Sequence, residues 1–223
     1  MNTIVIIPAY NEAQKIGDVV RAVRERGFDV AVVDDGSHDA TAVEARRGGA
    51  IVLSHVINRG YGSALETGNQ YALRKGYDCV VHFDGDGQHD PDEIANVIRP
   101  INERECDVVI GSRFMQSGSN VPLFRAFLIK AAILFTWFFS GVRLSDAHNG
   151  FRAFGRTALK SIDCRQDGMA YASEVIDQIG ERSLSYKEVP ITVHYSAYSR
   201  KKGESNIKKI LVGVRFLWSK LMR

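Results

Sequence analysis

Apolar residues recur along the first half of the chain in two alternating forms. Short continuous runs at Thr3 to Ile7, Val30 to Asp34, Ala50 to Ser54, Cys79 to Asp84 and Asp107 to Gly111 are rich in Val and Ile and read as buried strands. Between them lie stretches of helical spacing. Ile16, Val19, Val20 and Val23 keep the i, i+3, i+4, i+7 pattern that gathers apolar side chains on one face, and Ile94, Val97, Ile98 and Ile101 repeat it. Asp39 ahead of Thr41 and Glu44 reads as a helix start, Pro91 opens another, and a further helix is expected from Ser63 to Lys75. Strands that are apolar throughout and separated by helices predict an α/β fold whose mostly parallel central sheet is covered on both faces.

In such sheets ligands bind beyond the carboxyl ends of the strands, so polar clusters should follow strands and not precede them. They do: PAYNE, DDGS, NRGYG, DGDGQ and GSR follow the five runs in turn. All five are expected on one rim.

After Gly111 the pattern changes. A polar loop from Gln116 to Asn120 leads into PLFRAFLIKAAILFTWFFSGVR, whose only interior charges are Arg125 and Lys130. Then come SDAHNGFRAF, a helix expected around Glu174 to Arg182, the strand-like KEVPITVHY, the basic loop SRKKGESN and a last amphipathic stretch. With no internal repeat and no long linker, the expected organisation is one domain over residues 1–206, divided at about residue 115, followed by a basic amphipathic helix over 207–223.

Composition narrows the class. The chain has 223 residues, 45% of them hydrophobic, enough for one core. A net charge of +3 makes no case for nucleic acid, and the positive residues fall late in the chain. Cys79, Cys106 and Cys164 stand singly with no CxxC spacing, which argues against a disulfide framework or zinc site and fits a reducing compartment. Met1 runs straight into a strand-like segment with no basic leader, which argues against secretion. The longest apolar run, Ala131 to Val142, falls well short of the roughly 20 residues a spanning helix needs.

The chemistry concentrates in DGDGQH. Asp84 and Asp86 lie two apart around Gly85, which lets the backbone turn tightly. Two close carboxylates repel unless a cation lies between them or one stays protonated. Mg²⁺ or Mn²⁺ takes oxygen ligands, commonly one or two carboxylates and a substrate's phosphates, and Gln88 and His89 are within reach to complete the sphere. Asp and Gly are also common turn residues. A glycosidase pair is disfavoured, because its two carboxylates flank a bond and usually come from separate segments. The run from Gly60 places Leu65 where a dinucleotide fingerprint needs its last glycine, and no phosphate-binding GxxxxGK[ST] occurs.

The motifs IIPAYNE, VVDDGS, FDGDGQHDP, GSRF, SDAHNGFRAF and RKKGESNI, in this order, resemble those of family 2 inverting glycosyltransferases. Within that family they are most similar to the dolichol-phosphate mannose synthase-like transferases that use polyprenyl phosphates. The resemblance implies a nucleotide-diphospho-sugar transferase (GT-A-like) domain, its first half serving the nucleotide sugar and its second the acceptor. It implies that Pro8, Tyr10, Glu12 and Asp35 hold the nucleoside, and that Asp84, Asp86 and Gln88, with Gly85 between the aspartates, place Mg²⁺ or Mn²⁺ on the diphosphate. Arg113 and Arg125 would face phosphates, Arg125 that of the acceptor; Arg200 and Ser205 belong to a loop over the diphosphate; Asp146 is the active-site carboxylate near the acceptor. Together with Asp86 and Arg125, Asp146 is expected closest to the chemistry. Two positions depart from the family pattern: His148 stands where Thr is usual, and Asn206 where Lys often follows GES.

The chemistry so implied is coherent. Cleavage at the anomeric carbon builds charge on a nucleoside diphosphate, which a metal and cationic side chains stabilise most in the transition state. A lipid phosphate is already anionic, so it needs little general-base help, and Asp146 can orient without deprotonating. Phe124, Phe127, Phe135, Trp137, Phe138 and Phe139 around Arg125 and Lys130, and the tail with Lys208, Lys209, Arg215 and Trp218, suit an anionic membrane surface or, equally, a packed core. The expectation is an enzyme at the cytoplasmic membrane face, peripheral to the membrane and open to a separate membrane subunit. It moves a hexose from a GDP-mannose- or UDP-glucose-type donor to a polyprenyl phosphate.

Three alternatives stay open: a transferase of the same fold acting on a glycan or lipopolysaccharide precursor, a sugar-nucleotide nucleotidyltransferase, and a non-catalytic binding module. The second calls for a Gly-rich, basic loop after the first strand, where PAYNE stands instead. His55, His82 and His194 read as structural, Glu174 as an acceptor contact or a helix-start acid, and Tyr195 and Tyr198 as flanking the basic loop.

Overall fold

Successive side chains of a strand point to opposite faces, and here both faces are buried. The computed structural model describes residues 1–115, 141–146, 149–163, 166, 168 and 170–194. Strand β1 (Thr3–Ala9) is buried along its whole length. Its even side chains, Ile4 and Ile6, join one core with Ala31, Val33, Val80, Val108, Ile110 and Phe154, while Val5 and Ile7 join another with Val30, Val32, Val81, Val109 and Ala153. Each large aliphatic so buried contributes roughly 1.5–3 kcal/mol.

The remaining strands are β2 (Asp29–Asp34), β3 (Ile51–Ser54), β4 (Cys79–His82), β5 (Val108–Ser112), β6 (Arg152–Gly155) and β7 (Tyr186–Pro190). Among the described residues they form one sheet in the order β3-β2-β1-β4-β6-β5-β7. The five strands expected in the first half are all present, although β4 stops at His82, two residues before Asp84. Of KEVPITVHY, among the described residues, only the first part forms a strand, and Val193 makes an isolated bridge to His89.

Helix α1 (Ile16–Glu25) turns Ile16, Val19, Val20 and Val23 inward, and α4 (Ile94–Asn102) does the same with Ile94, Val97, Ile98 and Ile101; both pack on the second core with α2 (Thr41–Arg47), through Ala45. Helix α3 (Tyr61–Lys75), α5 (Arg156–Ser161) and α6 (Tyr171–Glu181) cover the first core. The result is helix, sheet, helix in three layers.

Strands β1 to β4 are mutually parallel, and β6 runs antiparallel to both β4 and β5, so β5 and β7 point the same way as the first four. All five polar clusters therefore emerge on one rim. Strand β6, which sequence pattern alone does not single out, brings a sixth: being reversed, it starts at that rim, and Asn149 and Gly150 stand there directly ahead of it. The apolar segment with Arg125, the basic loop with Arg200 and Ser205, His148, Tyr195, Tyr198 and the 207–223 tail lie outside the described residues. No helix among the described residues is long and apolar enough to cross a membrane.

Candidate active site

The turn after β4 keeps its two aspartates in different surroundings. Asp84 accepts from the Tyr61 hydroxyl at Oδ1 (2.9 Å) and from His89 Nε2 at Oδ2 (3.0 Å). Burial pushes the Asp84 carboxyl up, but the bonds from His89 and Tyr61 outweigh it and hold the group below the usual carboxylate range. Asp86 goes the other way: burial first, then the neighbouring Asp84 charge, raises it, opposed by Gln88. Gln88 donates its backbone N–H to Asp86 Oδ1 (3.0 Å) and its side-chain amide N–H to Oδ2. A half-turn of that amide presents its oxygen instead.

The glycines here differ in purpose. The left-handed backbone lies at Gly87 (φ +75°), not at Gly85. Gly85 is needed for space, since a Cβ there would lie 3.2 Å from Ile7 Cγ2 and 3.3 Å from Ile16 Cδ1. Gly150 closes the far side: a Cβ there would lie 2.9 Å from both Asp84 oxygens and from the Tyr61 hydroxyl.

Among the described residues, no three His, Cys, Asp or Glu side chains are grouped closely enough to hold a metal by themselves. Two close carboxylates, one of them held ionised and making ionisation of the other costlier, beside an amide that can turn its oxygen inward, fit a hard cation that takes its other ligands from a bound diphosphate.

Behind the turn lies a buried polar column. His82 is fully buried, its Nε2 at 2.8 Å from Asn69 Oδ1 and its Nδ1 at 2.7 Å from the Tyr171 hydroxyl. Burial, helped by the Arg152 charge, pushes its pKa down to about 3, so the ring is neutral: Nε2–H donates to Asn69 and Nδ1 accepts from Tyr171. Arg152, 1% exposed, donates to the Asn149 carbonyl (2.9 Å) and the Ala172 carbonyl (3.3 Å) and lies over the Tyr171 ring. His82 is thus structural, as expected.

A second cluster forms where β5 ends and β6 is entered. Arg113 grips Asp146 with Nε at 2.6 Å and Nη2 at 2.8 Å, and its backbone N–H adds a third bond at 3.2 Å. Asp146 is 1% exposed. Glu188 on β7 accepts from the Ser145 backbone N–H and hydroxyl (2.8 Å each) and from the Asp146 N–H (3.2 Å), while Ser145 and Ser112 share a 2.6 Å bond. Sequence motifs point to Arg113 and Asp146 singly. Nothing in the pattern shows that they form a bidentate pair, or that Glu188 fastens the segment; Glu188 sits in a strand-like run with no flanking motif.

On the opposite edge, Asp35 is 3% exposed and accepts from Arg59 N–H (2.8 Å), Gly60 N–H (2.7 Å) and His55 Nδ1 (2.7 Å). His55 reaches on to Thr67, as a structural residue should. Whatever else Asp35 does, it ties the NRGYG loop to the end of β2. Pro8 is buried in β1, and Tyr10 lies exposed on the rim with its ring edge-on to His38. The Glu12 N–H donates to Thr41 Oγ1 (2.8 Å), locking the first loop to α2. These residues gather at the ends of β1 and β2, as their motifs imply. Glu174 accepts from the Gln166 N–H (2.9 Å). His194 carries a backbone bond to the Gln88 carbonyl (2.8 Å), and a β-bridge joins His89 to Val193.

Known proteins resemble this chain in sequence and in fold. The chain is 32% identical to a UDP-N-acetylglucosamine–dolichyl-phosphate N-acetylglucosaminyltransferase of Methanococcus voltae, over 97% of this chain and 94% of that protein. It is 33% identical to an undecaprenyl-phosphate mannosyltransferase of Micrococcus luteus, over 96% and 90%. Its fold is that of a glucosyl-3-phosphoglycerate synthase from Mycobacterium tuberculosis solved with Mn²⁺, UDP and phosphoglyceric acid: TM-score 0.69 at 18% identity, covering 90% of this chain and 73% of that one. The Glycosyl transferase family 2 profile matches residues 4–163, and the chain belongs to that family of glycosyltransferases.

Proposed function

We propose that the protein transfers a hexose, with inversion, from a nucleotide-diphosphate sugar to a polyprenyl phosphate at the cytoplasmic face of a membrane. The observation that carries this is the Asp84–Asp86–Gln88 turn at the carboxyl end of β4, where two carboxylates are crowded together on the rim that the fold leaves for ligands. The names of the Methanococcus and Micrococcus relatives support a lipid phosphate as acceptor.

In this reading Asp86 and Gln88 hold Mg²⁺ or Mn²⁺, with Asp84 beside them. The ion, when bound, neutralises charge growing on the diphosphate leaving group. Pro8, Tyr10, Glu12 and Asp35 flank the nucleoside at the ends of β1 and β2. Arg113, squared up by Asp146, presents a fixed positive charge to phosphate. Asp146 orients and does not deprotonate, because a phosphate acceptor is anionic before it arrives. Arg125 meets the acceptor's phosphate, and Arg200 and Ser205 cover the diphosphate. The protein works from the membrane surface, drawn to anionic lipid, with or without a separate membrane subunit.

The acceptor is tested by incubating the protein and Mn²⁺ with labelled GDP-mannose, UDP-glucose or UDP-N-acetylglucosamine and comparing polyprenyl phosphate, dephosphorylated polyprenol and soluble glycans. Label reaching the organic phase only with the phosphorylated lipid is the expected result. Transfer to a glycan instead would move the protein to a different acceptor class.

A further inference from the structure

Asp84 is held in a way that its role as one of two turn carboxylates does not require. Its Oδ1 takes a hydrogen bond from Tyr61 of NRGYG and its Oδ2 from His89 of DGDGQH, which is turned onto Asp84 and is not the sphere ligand its sequence position allows. Each donor is itself rigidly placed. Tyr61 is the first residue of α3, directly after Gly60, whose N–H is fixed by Asp35 at 2.7 Å, and its ring meets Tyr171 edge-on at 6.1 Å. His89 is wedged between Phe83 and Phe151, at 5.4 and 5.1 Å between ring centres, and its backbone is bridged to Val193.

The His89 tautomer follows from burial. Among the described residues, Nδ1 is buried without a hydrogen-bond partner. An N–H stranded there would cost more than a bare lone pair, so the proton sits on Nε2 and points at Asp84. Gly150 flanks the remaining side, where a Cβ would press on both Asp84 oxygens and the Tyr61 hydroxyl.

We propose that Tyr61 and His89 are positioning residues of the donor site, clamping the Asp84 carboxylate by one oxygen each so that cation affinity depends on two side chains that touch neither cation nor sugar. The proposal rests on reading the turn as a cation–diphosphate site. Partners of this kind typically govern metal affinity by about 10- to 100-fold, because they fix the orientation of the charged group beside the ion.

The test is a titration of the full chain with Mn²⁺, followed by the electron paramagnetic resonance signal of free Mn²⁺, with UDP or GDP present. Tyr61→Phe removes one hydroxyl and keeps the ring; His89→Leu removes the other donor, and His89→Gln restores an N–H. Tyr61→Phe and His89→Leu are expected to weaken Mn²⁺ binding about tenfold, and His89→Gln to recover part of it. Metal-free melting temperatures should stay near wild type for Tyr61→Phe, which carries the test should His89→Leu fold poorly.

Unchanged or tighter Mn²⁺ binding in Tyr61→Phe, with binding lost in Asp86→Asn, would overturn the clamp and leave the cation site standing. Wild-type binding in Asp86→Asn would overturn the site, and the clamp with it.

Discussion

Two carboxylate clusters face the same rim and are built on opposite plans. At the mouth of β6, Asp146 is matched by Arg113, Ser145 and Asp146 N–H groups are matched by Glu188, and the Ser112 hydroxyl donates to the Ser145 hydroxyl, whose own proton goes to Glu188. At the end of β4, burial and then the neighbouring Asp84 charge push the Asp86 carboxyl up, and no basic side chain is paired with Asp86 among the described salt bridges. The first cluster is complete within the chain. The second keeps a repulsion that only a cation or a proton relieves. A self-satisfied network sets geometry, whereas a strained one awaits a ligand, so substitutions in the two should fail differently.

The largest effect is expected at the strained turn. Asp86→Asn should lower transfer by about 100-fold or more, since the cation that stabilises the leaving group would lose an anionic ligand, while thermal stability holds or rises as the repulsion is removed. Steady-state rates alongside a melting curve would show this. A variant that melts well below wild type would erase the contrast between the clusters.

The completed cluster should respond in stability. Asp146→Ala leaves the Arg113 guanidinium without its buried counter-charge and should cost about 3–5 kcal/mol, read by urea unfolding. Replacing both residues with apolar ones should cost less than the sum of the single changes. Additive losses would mean that the pair is not a unit.

Gly150→Ala is a subtler probe, because it reaches the turn from the other cluster's segment. Its methyl would press on the Asp84 oxygens and the Tyr61 hydroxyl, and about a tenfold loss of transfer with little change in melting is expected. Wild-type activity would show that the carboxylate can give way.

The most gradual effect, spread over several pH units, concerns the column behind the turn. His82 is neutral when folded, its pKa depressed to about 3 from an ordinary 6.5. The unfolded chain binds its proton first, so this group costs stability as pH falls from about 6.5 toward 3, by up to about 1.4 kcal/mol per pH unit. His82→Gln should flatten the acid side of the stability curve in that window, and an unchanged slope would place the acid sensitivity elsewhere.

The sheet was legible because burial on both faces writes itself as unbroken Val and Ile runs, and α1 and α4 because their apolar spacing matches the helical turn. The rim followed from the position of polar clusters after each run. Strand β6 carries no such signature: RAFG is short, carries a fully buried Arg152, and pairs with neighbours distant in sequence. The identities of Asp84, Asp86, Arg113 and Asp146 could be read from motifs, but their partners could not. Tyr61 sits between two glycines that draw attention to backbone shape, and Glu188 has an apolar neighbour on one side only. Pairings across 23 residues from Tyr61 to Asp84 and 42 from Asp146 to Glu188 depend on the tertiary fold and leave no local pattern.

The most direct test sets wild type and Asp86→Asn side by side in one assay of label transfer from nucleotide sugar to polyprenyl phosphate, each with Mn²⁺ and with chelator. Wild type should label the lipid phase only with Mn²⁺, and Asp86→Asn should be nearly inert in both conditions. Equal transfer by wild type with and without the ion, or near-normal transfer by Asp86→Asn, would contradict the assignment of the turn after β4 as the centre of the chemistry.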